Sequence, residues 1–106
     1  MSRSVHIVAV AARTPVGLTA ESTAAAVRAG VSRVREHPFM VDAAGENLLC
    51  AYDETLALDV FGRERMIPLA QHALQGLATK LTVQRPYSAP VPMLLALPEP
   101  RPGFSH

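Results

Sequence analysis

The single cysteine is the first residue to consider as a nucleophile. Cys50 lies in the stretch ENLLCAYDE, where Glu46, Asp53 or a distant histidine could assist it. A reactive thiolate needs an activating neighbour, such as the N-terminus of a helix, and no turn that leads into a helix follows Cys50. We therefore predict a small buried residue of a β-hairpin. One cysteine also excludes an internal disulfide and a metal site built from several cysteines.

The four histidines do not have the spacing of metal ligands, since no two of them lie four residues apart on a predicted helix. They are His6, His37, His72 and His106. We expect His6 to be hydrogen-bonded inside a sheet or to lie near a strand end. His72 falls on the polar side of a predicted helix and should be exposed, and His106 should be disordered. The sequence therefore predicts no metal site.

Arg13 stands before Thr14-Pro15, where a buried strand is predicted to turn towards a helix. Its guanidinium could bind a phosphate or a carboxylate. More often such an arginine ties down a loop, through backbone carbonyls or a nearby acid. We favour this second interpretation, which makes Arg13 a structural residue.

Composition limits the classes of function. The chain has 106 residues, 49% of them hydrophobic and 18% charged, which is apolar for a small domain. We therefore expect one small domain, or a piece of a larger one, that buries a face against something else. The net charge of +1 and the mixed signs exclude the basic stripe of a nucleic-acid-binding protein. The apolar stretches are too short to span a membrane, and we expect a soluble cytoplasmic protein. A short N-terminal signal peptide is the less favoured alternative.

The elements that position these residues begin with a predicted strand at residues 5–12, near-continuously apolar and thus suited to burial on both faces. Pro15 ends this strand, and Gly17 is expected to give the turn conformational freedom. A helix is predicted over residues 19–29, with Thr19 as N-cap and Gly30 as the left-handed residue after its end.

Further along the chain, FMVDAAGENLLCAYD predicts a hairpin whose turn includes Gly45. A loop with a partial helical turn should follow. A second helix is then predicted with Pro68 in its first turn, and one apolar stripe along it. The stripe comprises Ile67, Ala70, Leu74, Leu77 and Leu81. Gly76 should weaken this helix and mark close packing against another backbone.

A proline-broken connector over residues 82–92 leads to a predicted second buried strand at residues 93–98, and residues 98–106 have the composition of a loop. The predicted fold class is α/β, in the order strand, helix, hairpin-like insertion, helix, strand. Two parallel strands with covering helices would form a right-handed crossover.

The stretch IVAVAARTPVGLTAESTAAAVRAGVSRVREHPF resembles the opening of the β-ketoacyl synthases, the condensing enzymes of the thiolase superfamily. Those proteins begin with a central strand, a Thr-Pro-x-Gly turn, a helix that ends in Ala-Gly, and a serine-containing segment. DVFGRERMIPLAQHALQGLATKL is similar to the arginine-rich lead into their alanine- and leucine-rich helix. The resemblance covers residues 5–97, and thiolases proper carry a nearly identical Arg-Thr-x-x-Gly turn.

This resemblance implies a partial thiolase-like fold and a carbon–carbon bond-forming acyltransferase of fatty acid or polyketide biosynthesis. Its substrates would be acyl thioesters on acyl carrier protein or coenzyme A, condensed with decarboxylation. No metal or redox cofactor would be needed. Active members are homodimers, so the implied partner is a second copy or the remaining part of the fold.

The family's catalytic Cys-His-His set lies downstream of the equivalent of His106, so the resemblance implies no catalytic and no cofactor-binding residue here. It implies the N-terminal part of a ketosynthase-like domain, inactive by itself. A non-catalytic ketosynthase-like scaffold or partner-binding protein remains the alternative, and a small α/β protein with a similar beginning is least favoured. Arg63 and Arg65 could mark a docking surface for an acidic carrier protein, but capping or a salt bridge to Glu64 or Asp59 is the favoured interpretation.

Overall fold

The structure is a computed structural model that describes residues 3–84 and 90–100. The described residues form two helices and one two-stranded antiparallel sheet, in the order α1 (Ala20–Arg28), β1 (Arg35–Val41), β2 (Asn47–Cys50) and α2 (Gly62–Gln84). Mixed helix and strand content is thus confirmed, but the predicted pair of parallel strands is wrong. The chain divides into two units. One is Ala12–Leu58 with α1 and the sheet, and the other joins residues up to Ala11 to those from Asp59 onward, with α2.

The two strands predicted at residues 5–12 and 93–98 are not formed. Their apolar side chains lie in solvent: Val5 is 97% exposed and Leu94 is 100% exposed. A strand is defined by hydrogen bonds to a neighbour, and in the described part of the chain no other strand lies beside either segment. The apolar pattern alone therefore did not suffice to form them.

Helix α1 agrees with the prediction at both ends. The Thr19 side-chain oxygen accepts a hydrogen bond from the Ser22 N–H, and Ser22 Oγ accepts one from the Thr19 N–H, both at 3.0 Å. This reciprocal capping box fixes the first turn. At the other end Gly30 has a φ of +72°, and the Val31 N–H donates to the Ala26 carbonyl at 2.9 Å. This bond satisfies one of the last carbonyls of the helix.

The turn before α1 is closed by its own backbone. The Thr14 N–H donates to the Gly17 carbonyl at 2.9 Å, and the Thr14 and Thr23 hydroxyls are hydrogen-bonded at 2.9 Å. Gly17 is not among the positive-φ glycines, so the prediction that it supplies conformational freedom is wrong. A Cβ at Gly17 would lie 2.6 Å from the Thr23 backbone nitrogen and 2.6 Å from Ser22 Oγ. Glycine is required here because the turn touches the first turn of α1.

The predicted hairpin is confirmed, although β1 begins upstream of the predicted apolar stretch, at Arg35. Asp42 holds the turn: its backbone N–H donates to the Glu46 carbonyl at 2.8 Å, and its carboxylate accepts the N–H groups of Ala44 and Glu46. Gly45 has a φ of +81°, which a side chain would disfavour. The turn chemistry therefore sets the position of the hairpin.

The hairpin is irregular between Glu36 and Val41, where the register shifts. The imidazole of His37 fills this irregularity: its Nδ1 accepts the N–H of Met40 at 3.0 Å and that of Phe39 at 3.3 Å. His37 is 5% exposed and its ring lies edge-on to those of Phe39 and Tyr52, with centroids at 4.5 and 5.5 Å. The His37 side chain thus accepts hydrogen bonds from backbone N–H groups that lose their partners on the neighbouring strand at the bulge.

Helix α2 begins at Gly62, so Pro68 lies inside the helix and not in its first turn. Arginine and glutamate before the proline favour helix, and this propensity extends α2 upstream. The predicted stripe is not buried, since Ile67 is 54% and Leu74 46% exposed. Instead, Gly76 faces the Ala11 side chain at 3.8 Å, which corrects the expected contact with a backbone.

Apolar burial is scarce in the described residues. None of their apolar side chains is fully buried, and the two buried residues are both polar, His37 and Asp53. The apolar composition therefore corresponds to exposed apolar side chains in the described residues. Within residues 3–84 and 90–100, none of the helices combines the length and apolar character that crossing a bilayer requires.

Candidate functional site

The candidate site is built around an ion pair between Arg13 and Asp53 in the unit Ala12–Leu58. Arg13 Nε lies 2.7 Å from Asp53 Oδ2, and the two side chains are 10% and 6% exposed. Arg13 precedes the turn at residues 14–17, whereas Asp53 follows the hairpin. The pair therefore ties the turn to the segment after β2, as the loop-tethering interpretation of Arg13 predicts.

Thr55 completes this arrangement, which we call the Arg13–Asp53–Thr55 clasp. Its hydroxyl and its backbone N–H both donate to Asp53 Oδ1, at 2.5 and 2.9 Å. The same hydroxyl accepts a hydrogen bond from Arg13 Nη2. Each oxygen of the carboxylate thus has a donor. Burial alone would raise the pKa of Asp53, but the hydrogen bonds from Arg13 and Thr55 and the guanidinium charge lower it to about 2.

The lowered pKa of Asp53 predicts a loss of stability in acid. The ordinary value is 3.8, so the contribution is complete at neutral pH and disappears as the pH falls from about 4 to about 2. We expect this one carboxyl to account for about 2 kcal/mol of the free energy of unfolding at pH 7. The measurement is urea unfolding followed by circular dichroism at pH 7, 4 and 2.5. Asp53→Asn is the control, and an unchanged pH dependence in that variant would contradict the assignment.

A cavity of about 220 Å³ lies beside the clasp. Its wall is formed by residues 14–18, by Arg33 and by residues 53–55, all within one unit. Glu54 in this wall forms an ion pair with Arg35. Arg33 is exposed, and within the described residues its side chain has neither an ion pair nor a hydrogen bond.

The clasp is suited to holding structure and not to acid–base catalysis. A general base must be free to accept a proton near neutral pH, whereas Asp53 is ionised and both of its oxygens are occupied. The Thr55 hydroxyl is likewise engaged on both sides. Among the described residues, no cluster of His, Cys, Asp and Glu could hold a metal ion.

The other residues considered from sequence lie apart from the clasp. Cys50 is half-buried at the end of β2, opposite Arg35, and its thiol has no hydrogen bond within the described residues. His6 is exposed and bonded to the Ser4 hydroxyl at 3.0 Å, so its predicted place inside a sheet is wrong. His106 lies outside the described residues.

The second helix carries the remaining candidates. His72 is half-buried with its Nδ1 covered and unbonded in the described structure, which corrects the expectation of full exposure. Arg63 is exposed and Arg65 half-buried. The favoured interpretation is capping or a salt bridge, and of these two the salt bridge is not observed, since in the described part of the chain neither Glu64 nor Asp59 forms an ion pair.

Sequence reasoning missed the role of two buried groups. Asp53 was considered only as a possible helper of Cys50, and its partner Arg13 lies 40 residues away, beyond the reach of any spacing rule. For His37 a signal exists: Pro38 directly precedes the predicted hairpin stretch, a proline beside a strand indicates a bulge, and an adjacent polar side chain can satisfy the backbone there.

Comparison with known proteins identifies no relative: no family model, no curated protein and no solved structure matches this chain. These comparisons therefore assign no family to the chain.

Proposed function

We propose that this chain is the N-terminal part of a β-ketoacyl-synthase-like protein, inactive by itself. The complete protein would be a cytoplasmic acyltransferase that forms carbon–carbon bonds by decarboxylative condensation of acyl thioesters. Acyl carrier protein or coenzyme A would carry those thioesters, and the chain would pair with a second copy or with the remaining part of the fold.

The observation that carries this proposal is the exposure of two apolar segments. In residues 5–10, Val5 and Ile7 are 97% and 85% exposed, and in residues 91–97 Leu94 is fully exposed at 100%. Side chains of this kind are normally buried, at about 25 cal/mol for each Å² removed from water. Central strands of a larger sheet would have this composition, and they would need neighbouring strands from elsewhere.

The turn and first helix add support. The Thr-Pro-x-Gly turn is the element of the resemblance with the most definite requirements, and Gly17 has a physical reason to be glycine because α1 leaves no room for a Cβ. The helix ends at Arg28, and Gly30 adopts the left-handed conformation just beyond Ala29. These contacts support the turn–helix part of the resemblance.

Three measurements on the native protein test the proposal. Antibody capture from the source cells followed by intact mass should give several times the 11.3 kDa of this chain. A cerulenin-like covalent inhibitor should then label a cysteine other than Cys50, with a Cys50→Ala variant as the control. Hydrogen exchange should show residues 5–12 protected in the native protein and unprotected in the chain alone. A native mass of 11.3 kDa, with residues 5–12 unprotected, would overturn the proposal.

A non-catalytic ketosynthase-like scaffold is the second candidate. It is favoured by the clasp, whose polar groups are all engaged in holding the turn. This candidate predicts the same large mass and the same protection of residues 5–12, but no labelling by the inhibitor. Purified residues 1–106 should show no acyl transfer above background under either candidate.

A further inference from the structure

The cavity beside the clasp has walls that are fixed before any ligand arrives. The turn at residues 14–17 is closed by backbone hydrogen bonds and lies against the capping box of α1. The opposite wall, residues 53–55, is held to Arg13 by the clasp. Two walls of the cavity are therefore ordered in advance, and the main ordering cost on binding is that of the exposed Arg33 side chain.

Of the charged groups around the cavity, one guanidinium has no carboxylate partner among the described residues. Asp53 is neutralised by Arg13, and Glu54 is neutralised by Arg35. Arg33, the third arginine, lines the cavity and has no bonded partner among the described residues. A guanidinium binds carboxylates and phosphates through paired N–H donors. The cavity therefore offers a single positive charge to a ligand.

The rest of the wall decides between those two anions. Pro15, Val16 and Leu18 contribute apolar surface on the side of the turn. A single positive charge suits a monoanion better than a phosphate dianion, and the apolar side chains suit a short hydrocarbon group. We propose that this cavity binds a small organic carboxylate, with Arg33 holding the carboxylate and the turn holding the apolar group. The site does not depend on the ketosynthase-like function.

The test is an NMR titration of the ¹⁵N-labelled chain with propionate, and separately with propionamide, at constant ionic strength. Propionamide has nearly the same shape without the charge. We expect saturable shifts with propionate, with a Kd on the order of 1 mM, confined to residues 14–18, Arg33 and residues 53–55. Arg33→Ala should weaken binding at least about tenfold because a charge-assisted pair of hydrogen bonds is lost.

Arg28→Ala is the matched control, since Arg28 is an exposed arginine of the same unit that does not line the cavity. It should leave propionate binding unchanged, and unshifted resonances in β1 and β2 would show that both variants keep the fold. The proposal would be overturned if propionamide bound as tightly as propionate, or if Arg33→Ala bound propionate as tightly as the unsubstituted chain. It would also be overturned if the propionate titration did not saturate below about 50 mM. If inorganic phosphate bound more tightly than propionate in the same titration, the ligand would be a phosphate and not a carboxylate, and the proposal would be overturned.

Discussion

Asp53→Ala should lower the free energy of unfolding by about 3 kcal/mol, because it leaves the guanidinium of Arg13 without its anion in a site that is 10% exposed. Thr55 would also lose the acceptor of its hydroxyl and its backbone N–H. Small domains have about 5 to 15 kcal/mol of stability in all, so such a loss is large. The measurement is urea unfolding at pH 7, compared with the unsubstituted chain.

Asp59→Ala is the control, because Asp59 is exposed and carries the same chemistry. It should change stability by less than about 0.5 kcal/mol. A double-mutant cycle with Arg13→Ala isolates the pair: because both groups belong to one clasp, the double variant should be less destabilised than the sum of the two single variants. Additive losses would contradict the clasp.

Gly17→Ala should be nearly as damaging, by about 2 kcal/mol or more, for a different reason. The new Cβ would lie 2.6 Å from the Thr23 backbone nitrogen and 2.9 Å from the Ser22 carbonyl carbon, closer than Cβ atoms approach other atoms. These are backbone atoms of α1, so they cannot give way without moving the helix. Hydrogen exchange should show the amides of α1 losing protection first, since the Thr19–Ser22 capping box is displaced.

Gly76→Ala is the matched control for this substitution. Its Cβ would meet only the Ala11 side chain at 3.8 Å, an ordinary contact, and alanine favours a helix interior. This variant should therefore be more stable by about 0.5 to 1 kcal/mol. If Gly17→Ala were as stable as Gly76→Ala, the turn would not lie against α1 as described.

Helix α1 could be predicted because its signals are local. Thr19 and Gly30 lie at its two ends, and each acts on backbone within a few residues of itself. The hairpin was predictable for the same reason, since the Gly45 turn brings its own two flanks together. For α2, Pro68 was given too much weight, and the helix begins upstream at Gly62.

The segments at residues 5–12 and 93–98 show that an apolar sequence pattern is not enough to predict a strand. Their apolar character is what a buried strand needs, but a strand also needs hydrogen-bonding neighbours, and those are not local. The stripe on α2 is a similar case, because periodicity shows that Ile67 and Leu74 share a face and not what covers that face.

The sequence by itself determined the elements held by neighbouring residues: the capped helix α1, the hairpin, and the tethering character of Arg13. Only the tertiary structure decided that Asp53 is the partner of Arg13 and that His37 fills the bulge. It also decided that position 17 requires glycine because α1 leaves no room for a Cβ, and not because of a positive φ. The physical reason is separation along the chain. A cap or a turn acts over a few bonds, whereas the partner of Arg13 lies 40 residues away and is chosen by folding alone.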